Sequence, residues 1–303
     1  MFMRYVFVSL ISWASTILST PLQGPDGQTI ELSTAQNVTS LELLFPSNAS
    51  IQDPNASSGR GLDIQCDGAR YGFNPSLSDC EGARSYIQPV SEQFIFGERH
   101  TGLPSSTFAL PYMIMGDKGE CFFQPINIGD GATGRASLNQ IRSAASALFL
   151  KCATSHPSQG GIVKNIGGDN NIAVTMSVFE PKVQCRGSFD TALSCKDVLA
   201  DMPASTDSEL FGPPGTPFVK EILPQEIASL DNECIVTLYT TGRSDVLAWY
   251  RIWEAIEATF AVCARFRQGG SFRGLGQHGN VFLTLGPRSS IVSTGNSSDD
   301  ATE

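Results

Sequence analysis

Histidine is scarce in this chain: three residues in 303, namely His100, His156 and His278. A Ser–His–Asp hydrolase needs one of them as its base, yet no Gly-x-Ser-x-Gly elbow occurs, nor the His-Glu-x-x-His of a zinc protease. Cations are short as well, with 20 Lys and Arg against 30 Asp and Glu and a net charge of −10. That balance argues against nucleic acid or an anionic membrane surface as the main partner, since both need clustered basic residues. No apolar run reaches the roughly 20 residues of a good membrane span, and the polar, acidic segment Ser289–Glu303 lacks the apolar tail of a lipid-anchor signal. No stable membrane anchor is expected. The nearest cysteines, Cys185 and Cys195, are ten residues apart, too far for the close pairs of a structural zinc site. Asp117, Asp130 and Asp169 lie in glycine-rich loops without the alternating pattern of an EF-hand. No metal or cofactor is expected.

What is present is a pattern written twice. Ile64-Gln65-Cys66 returns as Val183-Gln184-Cys185. Sixteen residues after the next cysteine stands Phe96-Gly97 in one copy and Phe211-Gly212 in the other. Leu110-Pro111 precedes Cys121 as Leu223-Pro224 precedes Cys234. After Cys152 and Cys263 come Gly160-Gly161 and Gly269-Gly270, then Gly167 and Gly276, then an apolar run. The offset between copies drifts only from 119 to 109 residues. The chain is a duplicated, cysteine-marked unit.

The first residues read as a secretory signal: Arg4 precedes a largely apolar stretch from Tyr5 to Leu18, with small residues at Ser19 and Thr20. The expected organisation is a signal over 1–20 and a glycosylated, disordered lead-in over 21–61. The two copies follow over 62–179 and 181–287, and a disordered tail over 288–303. Sequons at Asn37, Asn48, Asn55 and Asn296 fall in the lead-in and tail. The join Glu180-Pro181-Lys182 is short, so the copies should pack on each other. The eight cysteines, Cys66, Cys80, Cys121, Cys152, Cys185, Cys195, Cys234 and Cys263, divide four and four. In an extracellular chain they read as disulfides, with three pairings open to each copy.

Each copy predicts the order strand, helix, strand, strand, helix, strand. A strand ends at Cys66 or Cys185, and short helices span Cys80–Ile87 and Cys195–Met202. A loop holding Phe-Gly leads to an edge segment near Leu-Pro. Strands follow at Cys121–Ile126 and Cys234–Tyr239. In Asp245–Cys263, Val246, Trp249, Tyr250, Trp253, Ile256, Phe260 and Cys263 form a broad helical stripe; Ser137–Cys152 is the weaker equivalent. A glycine-rich turn leads to a last strand, Ile172–Phe179 or Val281–Leu285. The fold class expected is α+β: two tandem ferredoxin-like (split βαβ) sandwiches, each an antiparallel sheet with two helices on one face. That arrangement gathers the four cysteines of a copy at one end. The pairing expected is Cys66–Cys80 with Cys121–Cys152, and the same in the second copy. The uncovered face of one sheet would be covered by the other copy, sheet against sheet or edge to edge.

Few residues invite a chemical role. Gly274, Gly276 and Gly279 match G-x-G-x-x-G, but a helix precedes and a strand follows, the reverse of a dinucleotide site, so this is a turn. Glu254 and Glu257 lie three apart on the side of their helix away from the stripe and read as a solvated face rather than a catalytic pair. Trp249 and Trp253 read as core or inter-copy contacts. Lys164 and Arg273, cations at matching places after the double glycine, suggest a binding rim.

The motifs Val183-Gln184-Cys185, Ser194-Cys195, Met202-Pro203, Phe211-Gly212, Leu223-Pro224, Trp249-Tyr250-Arg251-Ile252-Trp253 and Gly269-Gly270 cover nearly the whole chain after Gly61. On them the chain resembles small cysteine-stabilised proteins secreted by filamentous fungi. More distantly, each copy is similar to killer toxins, to secreted necrosis effectors and to a family of small fungal glycan-binding proteins. The resemblance implies a non-enzymatic secreted effector or killer-toxin-like protein. The alternative it implies is a tandem lectin-like protein, and an extracellular hydrolase stands third. The partners implied are glycans or a surface receptor of another organism.

Overall fold

The two series of landmarks fall on two matching series of elements. The computed structural model of the chain describes residues 61–99, 107–188, 190–191 and 194–288. The signal segment, the lead-in up to residue 60, Asn37, Asn48, Asn55, His100 and the tail with Asn296 lie outside the described residues. The first copy runs β1 (Asp63–Cys66), α1 (Gly68–Tyr71), α2 (Leu77–Ser85), β2 (Gln93–Glu98), β3 (Thr107–Leu110), β4 (Ile114–Met115) and β5 (Cys121–Asn127). It continues with β6 (Thr133–Ser137), α3 (Leu138–Leu148), a π turn over Phe149–Ala153, β7 (Gly161–Ile166) and β8 (Ile172–Val178). The second runs β9 (Val183–Arg186), α4 (Cys195–Asp201), β10 (Ser208–Gly212), β11 (Glu221–Ile222), β12 (Gln225–Ala228) and β13 (Cys234–Thr240). Then come β14 (Asp245–Ala248), α5 (Trp249–Val262), a 3-10 turn over Ala264–Phe266, β15 (Gly269–Leu275) and β16 (Val281–Pro287).

The sheets repeat the duplication strand for strand. One five-stranded sheet has the order β1-β7-β8-β5-β4, and the other, β12-β13-β16-β15-β9, is the same order read from the opposite edge. Every pairing in both is antiparallel. Two three-stranded sheets, β3-β2-β6 and β11-β10-β14, add one parallel and one antiparallel pairing each. The protein is therefore a mixed α and β structure with antiparallel sheets. The six-element order expected for each copy is contained in a longer one. Phe96-Gly97 and Phe211-Gly212 lie in strands β2 and β10 rather than in loops. The glycine-rich segments after the second helix are strands β7 and β15, not turns. Each forms a hairpin with the last strand, and in the first copy that hairpin inserts between β1 and β5.

The double glycines have a packing cause. A Cβ at Gly161 would meet the Cys152 sulfur at 3.2 Å, and one at Gly270 would meet the Cys263 sulfur at 3.0 Å. The nearer obstacles are the Gln65 carbonyl for Gly161 and the Thr259 methyl for Gly270, each at 2.5 Å, so neighbouring strand, helix and disulfide together leave no space for a side chain.

All eight cysteines are paired, and the pairing differs from the one expected. The bonds are Cys66–Cys152, Cys80–Cys121, Cys185–Cys263 and Cys195–Cys234. Sheet order explains this. β1 lies at one edge and β5 is three strands away, about 14 Å at ~4.8 Å per strand. Cys66 on β1 therefore cannot reach Cys80, because α2 packs on β5 and β4. It meets the end of the α3 segment, while Cys80 meets the start of β5. Four disulfides fit an oxidising, extracellular setting. Among the described residues no helix is long and apolar enough to cross a membrane.

The layers are helix, sheet, helix, sheet. Helices α2 and α3 bury Cys80, Ala83, Ile141, Ala145 and Leu148 against Phe123, Val174 and Met176 on one face of the first sheet. The opposite face of that sheet packs on α4 and α5. Met113, Met115 and Phe122 of the first copy belong to one core with Leu199, Met202, Trp253, Ile256 and Phe260 of the second. Helices, not a sheet face or edge, thus cover the first sheet. Helix α5 is buried on both sides, which is why its apolar stripe is broader than that of α3.

Candidate inter-copy cleft

Two arginines clamp this interface from opposite directions. Arg99 of the first copy donates Nη1 to the carbonyls of Leu199 (2.7 Å) and Met202 (3.1 Å) at the end of α4. Its Nη2 and Nε reach Pro111 and Leu110, and its guanidinium lies 5.6 Å from the Trp253 ring. Arg265 of the second copy pairs with Asp117 at 2.8 Å and stacks 4.2 Å over Tyr86. Trp253 itself donates to the Leu199 carbonyl at 3.1 Å. Trp249 packs on Phe211 at 5.3 Å. Both tryptophans are core, as their spacing indicated.

Where the first sheet and the start of α5 diverge, a cleft of about 650 Å³ opens, within the ~300–1,000 Å³ usual for small-ligand sites. Its floor is the outer face of β5 and β8, with Phe122, Gln124, Ile126, Thr175 and Ser177. One wall is α1, with Arg70 and Tyr71; the other is α5, with Tyr250, Arg251 and Glu254. Helix α1 is placed by its Asp67 cap, which accepts the Arg70 N–H at 3.2 Å, and by Gln159, which accepts the Gly68 N–H at 2.9 Å. Gly72, at φ +95°, brings this wall against Val178, leaving no room for a Cβ.

Two hydrogen-bonded pairs organise the polar groups of the cleft. The Tyr250 hydroxyl donates to Gln124 Oε1 at 3.1 Å, across the copies. Arg251 donates to Glu254 at 2.7 Å. Glu254 is only 6 % exposed; burial raises its pKa, opposed by the Arg251 bond and charge. Burial, reinforced by the Glu254 charge, raises the Tyr250 hydroxyl. The reading of Glu254 and Glu257 as a solvated face is therefore overturned. That face of α5 lies against the first sheet, and burial pushes Glu257 up to about 7, against the pull of Arg265, Lys196 and Arg99. Glu254 is the one carboxylate among the residues lining the cleft, whereas two-carboxylate glycoside hydrolysis needs a second across the bond.

The remaining sequence candidates lie elsewhere. Lys164 and Arg273 sit on β7 and β15 beside matching register shifts, Arg273 lying 5.2 Å over Phe282, and neither lines the cleft. Of the three glycines expected to form a turn, Gly276 and Gly279 lie in the turn between β15 and β16, whereas Gly274 lies in strand β15 itself. Asp245 stitches this turn by accepting the N–H groups of His278 (3.0 Å) and Asn280 (2.9 Å). In the first copy the carboxylate comes from within the matching turn: Asp169 accepts from Arg135 and Asn171. The loop acids Asp117 and Asp169 are thus engaged by protein groups, and no group of three metal-ligating side chains gathers among the described residues. Sequence reasoning missed Arg70, Tyr71, Gln124, Tyr250 and Arg251 as one site; only the apolar excess of α5 hinted that its second face was covered. No protein-family model matches the chain, and no curated protein matches it.

Proposed function

We propose that the chain is a secreted, non-enzymatic glycan-binding protein whose ligand sits in the cleft between the copies. One observation carries the reading. Tyrosines from both walls, an amide, hydroxyls and an ion pair converge over a half-apolar floor, the mix of rings and directional polar groups that a saccharide requires. The site takes its walls from both copies and so occurs once, rather than once per copy. Two tandem sandwiches of the split βαβ kind, over 62–179 and 181–287, are part of this proposal. So is a fungal effector acting on another organism's cells, the broader role that the resemblance implies. The four disulfides support the extracellular setting.

The test is a glycan array probed with the purified, oxidised chain, followed by titration of any hit. Saturable, sugar-competable binding that Gln124→Ala and Tyr250→Ala both weaken is the expected result. A blank array, or binding indifferent to both substitutions, removes the cleft from the account.

A further inference from the structure

The charges of the cleft run against those of the chain. With a net charge of −10 overall, the lining holds two guanidinium groups, Arg70 and Arg251, against one carboxylate, Glu254. Arg251 is occupied by Glu254 at 2.7 Å. Arg70 makes no ion pair within 4 Å among the described residues. The acid nearest in sequence, Asp67, is turned to the Arg70 backbone N–H. The guanidinium instead lies 5.3 Å from the centre of the Tyr71 ring, a cation–π contact that holds the fork over one wall of the cleft.

Helix α1 lies between Cys66 and Cys80, which stand fourteen residues apart, whereas the matching Cys185 and Cys195 stand ten apart. It brings a guanidinium without an ion pair among the described residues to a site whose other two charged groups, Arg251 and Glu254, pair with each other. A planar fork of N–H donors matches a planar carboxylate in two parallel bonds.

We infer that the ligand of the cleft is an acidic saccharide, a hexuronate, and that Arg70 receives its carboxylate. This rests on the glycan reading of the cleft and specifies the class of sugar. The Tyr71 and Tyr250 side chains would meet the ring, Gln124 and Thr175 its hydroxyls, and Arg70 the charge.

The experiment titrates the oxidised full chain with uronate trisaccharides of the galacto, gluco and manno series. Each is paired with its methyl ester, which has the same shape without the charge. At least one acid should bind about tenfold or more tightly than its ester, as one charge-assisted contact warrants, with an affinity that falls as salt rises. Arg70→Met should abolish the preference for acid over ester, and Arg70→Lys should keep part of it. Acid and ester binding equally would overturn the role of Arg70 while leaving the glycan site standing. A preference that survives Arg70→Met would place the carboxylate elsewhere and overturn the assignment. If no uronate, ester or neutral oligosaccharide binds, the glycan reading and this inference fall together.

Discussion

Replacing Arg99 by leucine tests whether the copies are held by polar bonds or by apolar contact alone. Leucine retains part of the stem over Trp253 and deletes the guanidinium. Five carbonyls then lose a donor, those of Leu110, Pro111, Leu199, Ala200 and Met202, at 2.7–3.5 Å. A bond to a charged donor contributes about 1.5–3 kcal/mol, and an orphaned buried carbonyl costs about 1–3 kcal/mol. Arg99 is partly buried, so water can reach some of these oxygens. Those of Leu199 and Met202 lie at the end of α4, where a cation is favoured, and the Leu199 carbonyl keeps the Trp253 donor. Counting those two bonds to a charged donor at the low end of that range, and the others as rewetted, gives about 3 kcal/mol. For a protein of this size that corresponds to about 10 °C in Tm. The assay is urea and thermal unfolding of the oxidised chain, followed by circular dichroism and tryptophan fluorescence. Arg99→Lys, a point charge without the fork, should recover less than half of the loss. A loss under about 0.5 kcal/mol for Arg99→Leu would refute the clamp.

Non-reducing peptide mapping should recover Cys66–Cys152, Cys80–Cys121, Cys185–Cys263 and Cys195–Cys234; removing Cys66 and Cys152 together, which opens a loop of 86 residues, should cost about 4.6 kcal/mol. Glu257 has a folded pKa of about 7, above its unfolded value of about 4.3. The native state therefore binds its proton more readily, and this site favours folding most below about pH 4 and progressively less as pH rises through 7. Part of Glu257 meets solvent, which trims the cost, so Glu257→Gln should stabilise the protein at pH 8 by about 1–2 kcal/mol and flatten the pH profile of urea unfolding between pH 5 and 8. Gly276, at φ +91°, faces the Asp245 carboxylate, and an added Cβ would overlap it. Gly276→Ala should cost about 2 kcal/mol or more through backbone strain and loss of the cap, and hydrogen exchange at the His278 and Asn280 amides should report it.

Much of the architecture is legible from the spacing of landmarks, because duplication lets every ambiguous element be read twice. The stripe of α5 and the burial of Trp249 and Trp253 follow from helical period alone. Three things do not. Strands β7 and β15 begin with glycines that read as turn signals, and their reason, close packing against a neighbouring strand, a helix side chain and a disulfide, is tertiary. The pairing of the cysteines depends on strand order, which spacing does not encode. The burial of Glu254 and Glu257 depends on the far side of α5 being covered by the first sheet; periodicity identifies one apolar face and is silent about a second cover. The cleft draws on positions 70, 124, 175 and 250–254, four stretches with no local motif among them.

The copies differ where α5 of the second touches the first. Counted from the first helical residues, Leu138 and Trp249, the positions Asn139, Arg142, Ser143 and Ser146 of α3 correspond to Tyr250, Trp253, Glu254 and Glu257 of α5. In the first copy these are half-buried or exposed, as suits the outermost layer of a stacked array. In the second copy they meet the first sheet, and two of them line the cleft. The candidate site is thus a product of the stacking, and the first copy cannot be complete without its cover. Residues 61–180 produced alone would bare Met113, Met115 and Phe122, now 4 %, 0 % and 5 % exposed. That patch should bind a hydrophobic dye and drive association, and polar substitution at the three positions should reverse both effects. A soluble, monomeric first copy with no dye binding and the native residues in place would show that its sheet needs no helix layer, and would remove the physical basis for placing the site between the copies.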